Sequence, residues 1–99
     1  MPADSMDLFS TNDPDLRAQI DAARGLAFQE GSLSLKTQIL IALAIDATKQ
    51  AEGGVRSLAL QALEAGATKQ EIMETLRIVN YICGVGSMYT AASALTGVL

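Results

Sequence analysis

The chain has 99 residues, of which 49% are apolar and 18% charged, with a net charge of −4. Such a balance supplies no basic patch to displace phosphate counterions or to lie on an anionic bilayer, which argues against nucleic acid and against membrane. A single cysteine and the absence of histidine exclude a disulfide framework, a CxxC redox pair and the usual general base and metal ligand near neutral pH; no metal and no cofactor is expected.

A chain of this length makes one small domain, which buries about two-thirds of its unfolded surface at best. Its apolar content exceeds what one copy can hide, so subunit interfaces are expected. Four aromatics and no Trp give an aliphatic, alanine-rich core, the composition of close-packed helices. The start is acidic and polar, unlike a signal peptide. The longest apolar run, Ile39 to Ile45, is too short to span a bilayer. The default compartment is the cytoplasm.

Residues 1–11 lack periodicity and read as a flexible N-terminal arm, with 12–99 a single helical domain. Asn12-Asp13-Pro14 is a helix start: a capping side chain, then Pro at the first turn, where its missing N–H costs nothing. Leu16, Ile20, Ala23 and Ala27 recur at helical spacing, so the first helix runs from about Pro14 to Gln29 and ends at Gly31. Ser32 or Ser34 caps the second, which runs to about Gln50. Its middle is apolar on every side, so this helix is buried all round or shared between subunits. After Glu52-Gly53-Gly54, the residues Val55, Leu58, Ala59, Ala62 and Leu63 form the stripe of an amphipathic helix. Leu60 lies off that stripe, a candidate contact for a partner subunit.

Ala62 to Leu76 then holds a helix end, a hinge and a helix start. Gly66 takes the left-handed conformation that closes a helix, and Thr68 with Glu71 forms a capping box. So short a link predicts antiparallel packing of the helices it joins. The next helix carries Ile72, Leu76, Val79 and Cys83 on one side and Ile78 and Ile82 on a second. Gly84 and Gly86 end it, and Ser87 caps a last helix through about Leu95. Nothing alternates with period two, so the fold class is all-α, a bundle of about five helices.

Three segments resemble the carboxymuconolactone decarboxylase family, which includes the alkylhydroperoxidase-D-like proteins. Leu33 to Ala44 is similar to its opening helix. Ala59 to Ile78, with G-A-T-x-x-E-I-x-E, is similar to its central hairpin. Asn80 to Ala91 resembles its glycine turn and closing helix. The resemblance implies an all-α homo-oligomer, a trimer or hexamer, with sites between helices at subunit contacts. It also implies where chemistry belongs. The peroxidase branch uses a Glu, a CxxC pair and a His, and the decarboxylase branch a similar Glu and His. Counting back from Gly66, the His position falls on Leu58, the Cys positions on Gly54 and Ala51, and the Glu position on or beside Ile39. None of these carries a thiol or binds a proton. The expected function is therefore a catalytically degenerate binding or scaffold subunit. The alternative is a thiol-dependent peroxidase-type enzyme using Cys83, or a decarboxylase-like enzyme using non-standard residues near Glu52.

Several residues remain as candidates. Cys83 is the one thiol; at a helix C-terminus it meets the negative end of the dipole, the wrong end to favour a thiolate, and its bland reading is a small buried filler. Glu52, Arg56 and Lys49 surround the implied site, either as binders of a small polar or anionic molecule or as a solvated helix entry. Asn80 and Tyr81 either present hydrogen bonds to a ligand or satisfy a helix end. Met73 and Met88 read as core filler.

Overall fold

The computed structural model describes residues 5–99. These form six helices and, among the described residues, no strand: α1 (Asp7–Asn12), α2 (Pro14–Ala27), α3 (Leu35–Thr48), α4 (Glu52–Glu64), α5 (Lys69–Cys83) and α6 (Val85–Leu95). Among the described residues, no helix is long and apolar enough to cross a membrane.

Most boundaries follow from local chemistry. At the start of α2 the Asp13 carboxylate accepts the Leu16 N–H at 3.1 Å, and Pro14 opens the first turn. Of the two serines before α3, Ser34 is the cap; its Oγ accepts the Thr37 N–H at 3.2 Å. The capping box of α5 is complete. Thr68 Oγ1 accepts the Glu71 N–H at 3.0 Å, and Glu71 Oε1 accepts the Thr68 N–H at 2.9 Å. Lys36 Nζ, at the start of α3, lies 2.9 Å from Glu71 Oε2 and ties the two helix starts together.

The Lys36 hydrogen bond, then the Thr68 N–H, hold the Glu71 carboxyl below its ordinary pKa. A carboxylate with a depressed folded-state pKa stabilises the fold above its unfolded pKa, and that contribution disappears as pH falls through the folded value. Wild type is thus expected to exceed Glu71→Gln in stability at neutral pH, with the gap closing in acid, as measured by denaturant unfolding at several pH values. Thr68→Ala is expected to cost about 1 kcal/mol at neutral pH, the usual loss on removing an N-cap hydroxyl.

Two local expectations are corrected. Residues 7–11 of the stretch read as a flexible arm are helical, as part of α1, so the described residues hold six helices where about five were expected. Local polar bonds hold α1: Asn12 Nδ2 donates to the Leu8 carbonyl at 2.7 Å and the Asp13 N–H to that of Phe9, also at 2.7 Å. No apolar stripe is needed for these, so periodicity could not reveal them. The rest of that arm, residues 1–4, lies outside the described residues. Secondly, Ser87 does not cap α6. It is buried inside the helix, and Gly84 alone separates α5 from α6. Gly84 has φ 85° and ψ −179°, a conformation open essentially to glycine, which lets one residue end one helix and begin the next.

Helices α3 to α6 make the bundle. Leu43 and Ala47, Val55 and Ala59, Ile72, Leu76 and Val79, and Ala91, Ala94 and Leu95 close its core. A second cluster, Ile39, Ala62 and Ala67, lies beside it under Phe28 and Leu35. Helix α3 packs on α4 and α5, and α6 on the same two. Helices α4 and α5 therefore face each other across the bundle and do not pack side by side. This corrects the antiparallel pair expected from the short link. That link comprises Ala65–Thr68, and Gly66 at φ 99° together with buried Ala67 turns the chain across the end of the bundle. Helices α1 and α2 pack on each other, and neither contributes a buried residue.

Candidate functional site

Of the four implied chemical positions, Ile39 lies in the second turn of α3, Ala51 and Gly54 at the start of α4, and Leu58 in the middle of α4. Ile39, 4% exposed, packs with Ala62 and Ala67, and Leu58 touches both this cluster and the main core. Hydrocarbon thus fills the place where the family resemblance implies a proton relay. Ala51 is the N-cap residue of α4, and its side chain makes no capping hydrogen bond. Gly54, half-buried in the first turn, meets the Asp46 carboxylate: a Cβ built on Gly54 would overlap Asp46 Oδ2. A cysteine at 54 thus conflicts with this placement of Asp46.

Asp46 is the residue that the sequence reading missed. It sits on α3 directly after the apolar run, half-buried, eight residues before Gly54. The signal available in the sequence was its isolation, as the one charge between Lys36 and Lys49. Beside it, Gln50 has φ 56°, the left-handed region that non-glycine residues rarely adopt. The Ala51 N–H donates to the Asp46 carbonyl at 2.9 Å, which closes the end of α3 onto the start of α4.

Of the proposed ligand residues, Glu52 and Arg56 both engage the end of α6. Glu52 Oε1 accepts a hydrogen bond from Ser93 Oγ at 2.5 Å, tying α4 to α6. Arg56 Nη1 reaches the carbonyls of Ala94 and Thr96 at 3.5 and 3.4 Å, where it serves the open C-terminal end of α6. Lys49 is exposed at the end of α3. Asn80 borders a groove between α5 and α6 with Gln70, Met73, Arg77 and Met88. Both methionines are half-buried against the core. Tyr81 is 87% exposed. Cys83 is exposed and so is not a buried filler. The stripe it shares with Ile72, Leu76 and Val79 is buried only as far as Val79; all of residues 80–83 are exposed.

Two other hollows stand out. A cleft of about 390 Å³ lies where α2 ends against α3 and α4, floored by Phe28, Leu35 and Ile39, with Arg24, Gln61 and Glu64 at its polar edge. Its only link to the implied chemistry is Ile39. A second hollow, about 370 Å³, runs between α3 and α5 and is almost wholly apolar.

With this geometry in hand, comparison with known proteins is direct. A family profile described as "carboxymuconolactone decarboxylase family" matches residues 14–97. No curated protein sequence matches. The chain is similar to the apo crystal structure of a carboxymuconolactone decarboxylase family protein from Legionella pneumophila. The TM-score is 0.86 and the identity 31%, covering 92% of this chain and 81% of that one.

Proposed function

The chain belongs to the carboxymuconolactone decarboxylase family, and from that membership we propose that it is a catalytically degenerate member. It acts as a homo-oligomeric binding or scaffold subunit in the cytoplasm, a trimer or hexamer. One observation carries this reading: Ile39 and Leu58 fill the implied relay positions with packed hydrocarbon. General acid–base catalysis needs a titratable group within hydrogen-bond reach of the moving proton, and neither side chain has one. Glu52 and Arg56 are engaged with α6, which supports a structural role for both. The cleft floored by Phe28, Leu35 and Ile39 is the place for a small apolar molecule with one polar end, bound and released unchanged.

A second reading has a single observation behind it. The Asp46 carboxylate abuts Gly54, at one of the implied thiol positions, so a carboxylate does stand at that spot. In this reading Asp46 is a base for a decarboxylase-like reaction with non-standard residues. The test uses a carboxymuconolactone, with wild type beside Asp46→Asn. The degenerate reading expects no CO₂ release above the protein-free rate from either. Release by wild type that Asp46→Asn removes would replace it with the second reading.

A further inference from the structure

The cleft between α2, α3 and α4 is built in two parts. Its floor is hydrocarbon: Phe28 at the end of α2, with Leu35 and Ile39 on α3. Its edge carries one cation, one anion and one carboxamide: Arg24 on α2, with Glu64 and Gln61 on α4. Arg24 and Glu64 line the same opening, yet neither forms an ion pair or a side-chain hydrogen bond among the described residues. Gln61 Nε2 donates to Ser57 Oγ at 3.1 Å, which leaves the carboxamide oxygen to accept.

Local bonds preform this cleft. The Phe28 N–H donates to the Arg24 carbonyl at 3.1 Å, so floor and edge share one helix end. Gln38 Nε2 donates to the carbonyls of Gln29 and Leu33 at 2.7 and 3.3 Å, and Glu30 Oε1 accepts the Leu35 N–H at 3.1 Å. These bonds pin the link between α2 and α3, and with it the spacing of Phe28 from Leu35. A ligand then need not order the loop that receives it.

We propose that this cleft binds a free α-amino acid with a large apolar side chain. The inference rests on the binding-subunit reading above and specifies the ligand of that same cleft. The charge pattern selects it. A monocarboxylate would answer Arg24 and set a second anion beside Glu64. A simple amine would answer Glu64 and set a second cation beside Arg24. A zwitterion meets both. Its carboxylate accepts from the Arg24 guanidinium, and its ammonium donates to the Glu64 carboxylate and the Gln61 carboxamide oxygen. These two groups sit on one carbon of the ligand, so its head spans a gap that the protein side chains leave unbridged. The ligand side chain covers Phe28, Leu35 and Ile39, and apolar area removed from water supplies the remaining attraction. The volume of about 390 Å³ lies within the range of small-molecule sites. A peptide carries its ammonium and carboxylate at opposite ends and leaves one edge charge unanswered.

Titration of the isotope-labelled full chain with phenylalanine and, in parallel, leucine, followed by amide NMR, tests this. Shifts are expected at Arg24, Phe28, Ile39, Gln61 and Glu64. Because the edge is open to water, Arg24→Gln and Glu64→Gln are each expected to raise the dissociation constant about fivefold. Both positions are exposed, so the variants should fold, and unchanged helical circular dichroism verifies that. Arg77→Gln, in the groove between α5 and α6, is expected to leave binding unchanged. Hydrocinnamate lacks the ammonium of phenylalanine and phenethylamine lacks its carboxylate; each is expected to bind about fivefold more weakly than phenylalanine.

No shifts from either amino acid up to its solubility limit, or shifts confined to α5 and α6, overturn the proposal. So does a dissociation constant that neither Arg24→Gln nor Glu64→Gln changes. Hydrocinnamate or phenethylamine binding as tightly as phenylalanine also overturns it, while keeping the cleft as a binding site. CO₂ release from a carboxymuconolactone would end the degenerate reading and leave these shifts untouched, so the two failures are separable.

Discussion

Ile39→Glu is expected to destabilise the fold by about 3–5 kcal/mol at neutral pH, the range for an uncompensated buried charge. The substitution puts a carboxylate back where the family resemblance implies one, yet here the position is 4% exposed and walled by Ala62, Ala67 and Leu58. Burial disfavours the charged form, so this carboxyl takes a raised pKa in the folded state. The charge-dependent part of the loss is therefore absent below the unfolded value of about 4.3 and complete once pH exceeds the folded value. Denaturant unfolding at neutral and acid pH measures it, with Ile39→Met as the size control, for which a loss under about 1.5 kcal/mol is expected. Equal stability of the two variants at neutral pH would mean that water and counter-charges reach position 39, and that an active-site cavity persists there.

Leu43→Ala is expected to cost about 3 kcal/mol and to lower the melting temperature by roughly 15 °C. Leu43 is wholly buried at the centre of α3, the helix that packs on α4, α5 and α6, and it belongs to the main core cluster. Removing its three terminal carbons opens a cavity that three helices would have to move to fill. The contrast with Ile41 on the same helix is informative. Ile41 is 45% exposed, so Ile41→Ala should cost the single chain much less, and its effect should appear in association. Thermal unfolding of both variants at low protein concentration separates the two roles.

The helix starts were legible because their causes are local. Asp13 with Pro14, and Thr68 with Glu71, act over three or four residues, and the hydrogen bonds in the structure are those the sequence predicts. The second apolar side of α5 was legible too, since Ile78 and Ile82 lie off the stripe that the core needs. What the sequence hid depends on distant neighbours. The turn at Gly66 looks like a hairpin link, but whether α4 and α5 touch is decided by α3 and α6 coming between them. Cys83 continues a core-facing stripe in the sequence, and only the three-dimensional bundle determines that burial along it ends at Val79. The same limit applied at the site. Glu52 and Arg56 were singled out for lying near implied catalytic positions, and their partners Ser93, Ala94 and Thr96 are about forty residues away in sequence. Asp46 drew no notice among apolar neighbours; its significance comes from Gly54, which only the fold sets against it.

The central claim is that this chain kept a family's helices and lost the groups that move protons and exchange sulfur. The most direct measurement is consumption of an organic hydroperoxide at neutral pH with excess dithiol, wild type beside Cys83→Ser. A thiol peroxidase needs a thiol that attacks the peroxide, a base to generate its thiolate, and a second thiol, which the added dithiol supplies, to resolve the oxidised sulfur. Here Cys83 is the sole thiol, and it lies at the end of α5, away from Leu58. The account predicts the same rate for both proteins, indistinguishable from the rate without protein. Catalytic turnover by wild type that Cys83→Ser abolishes would contradict it.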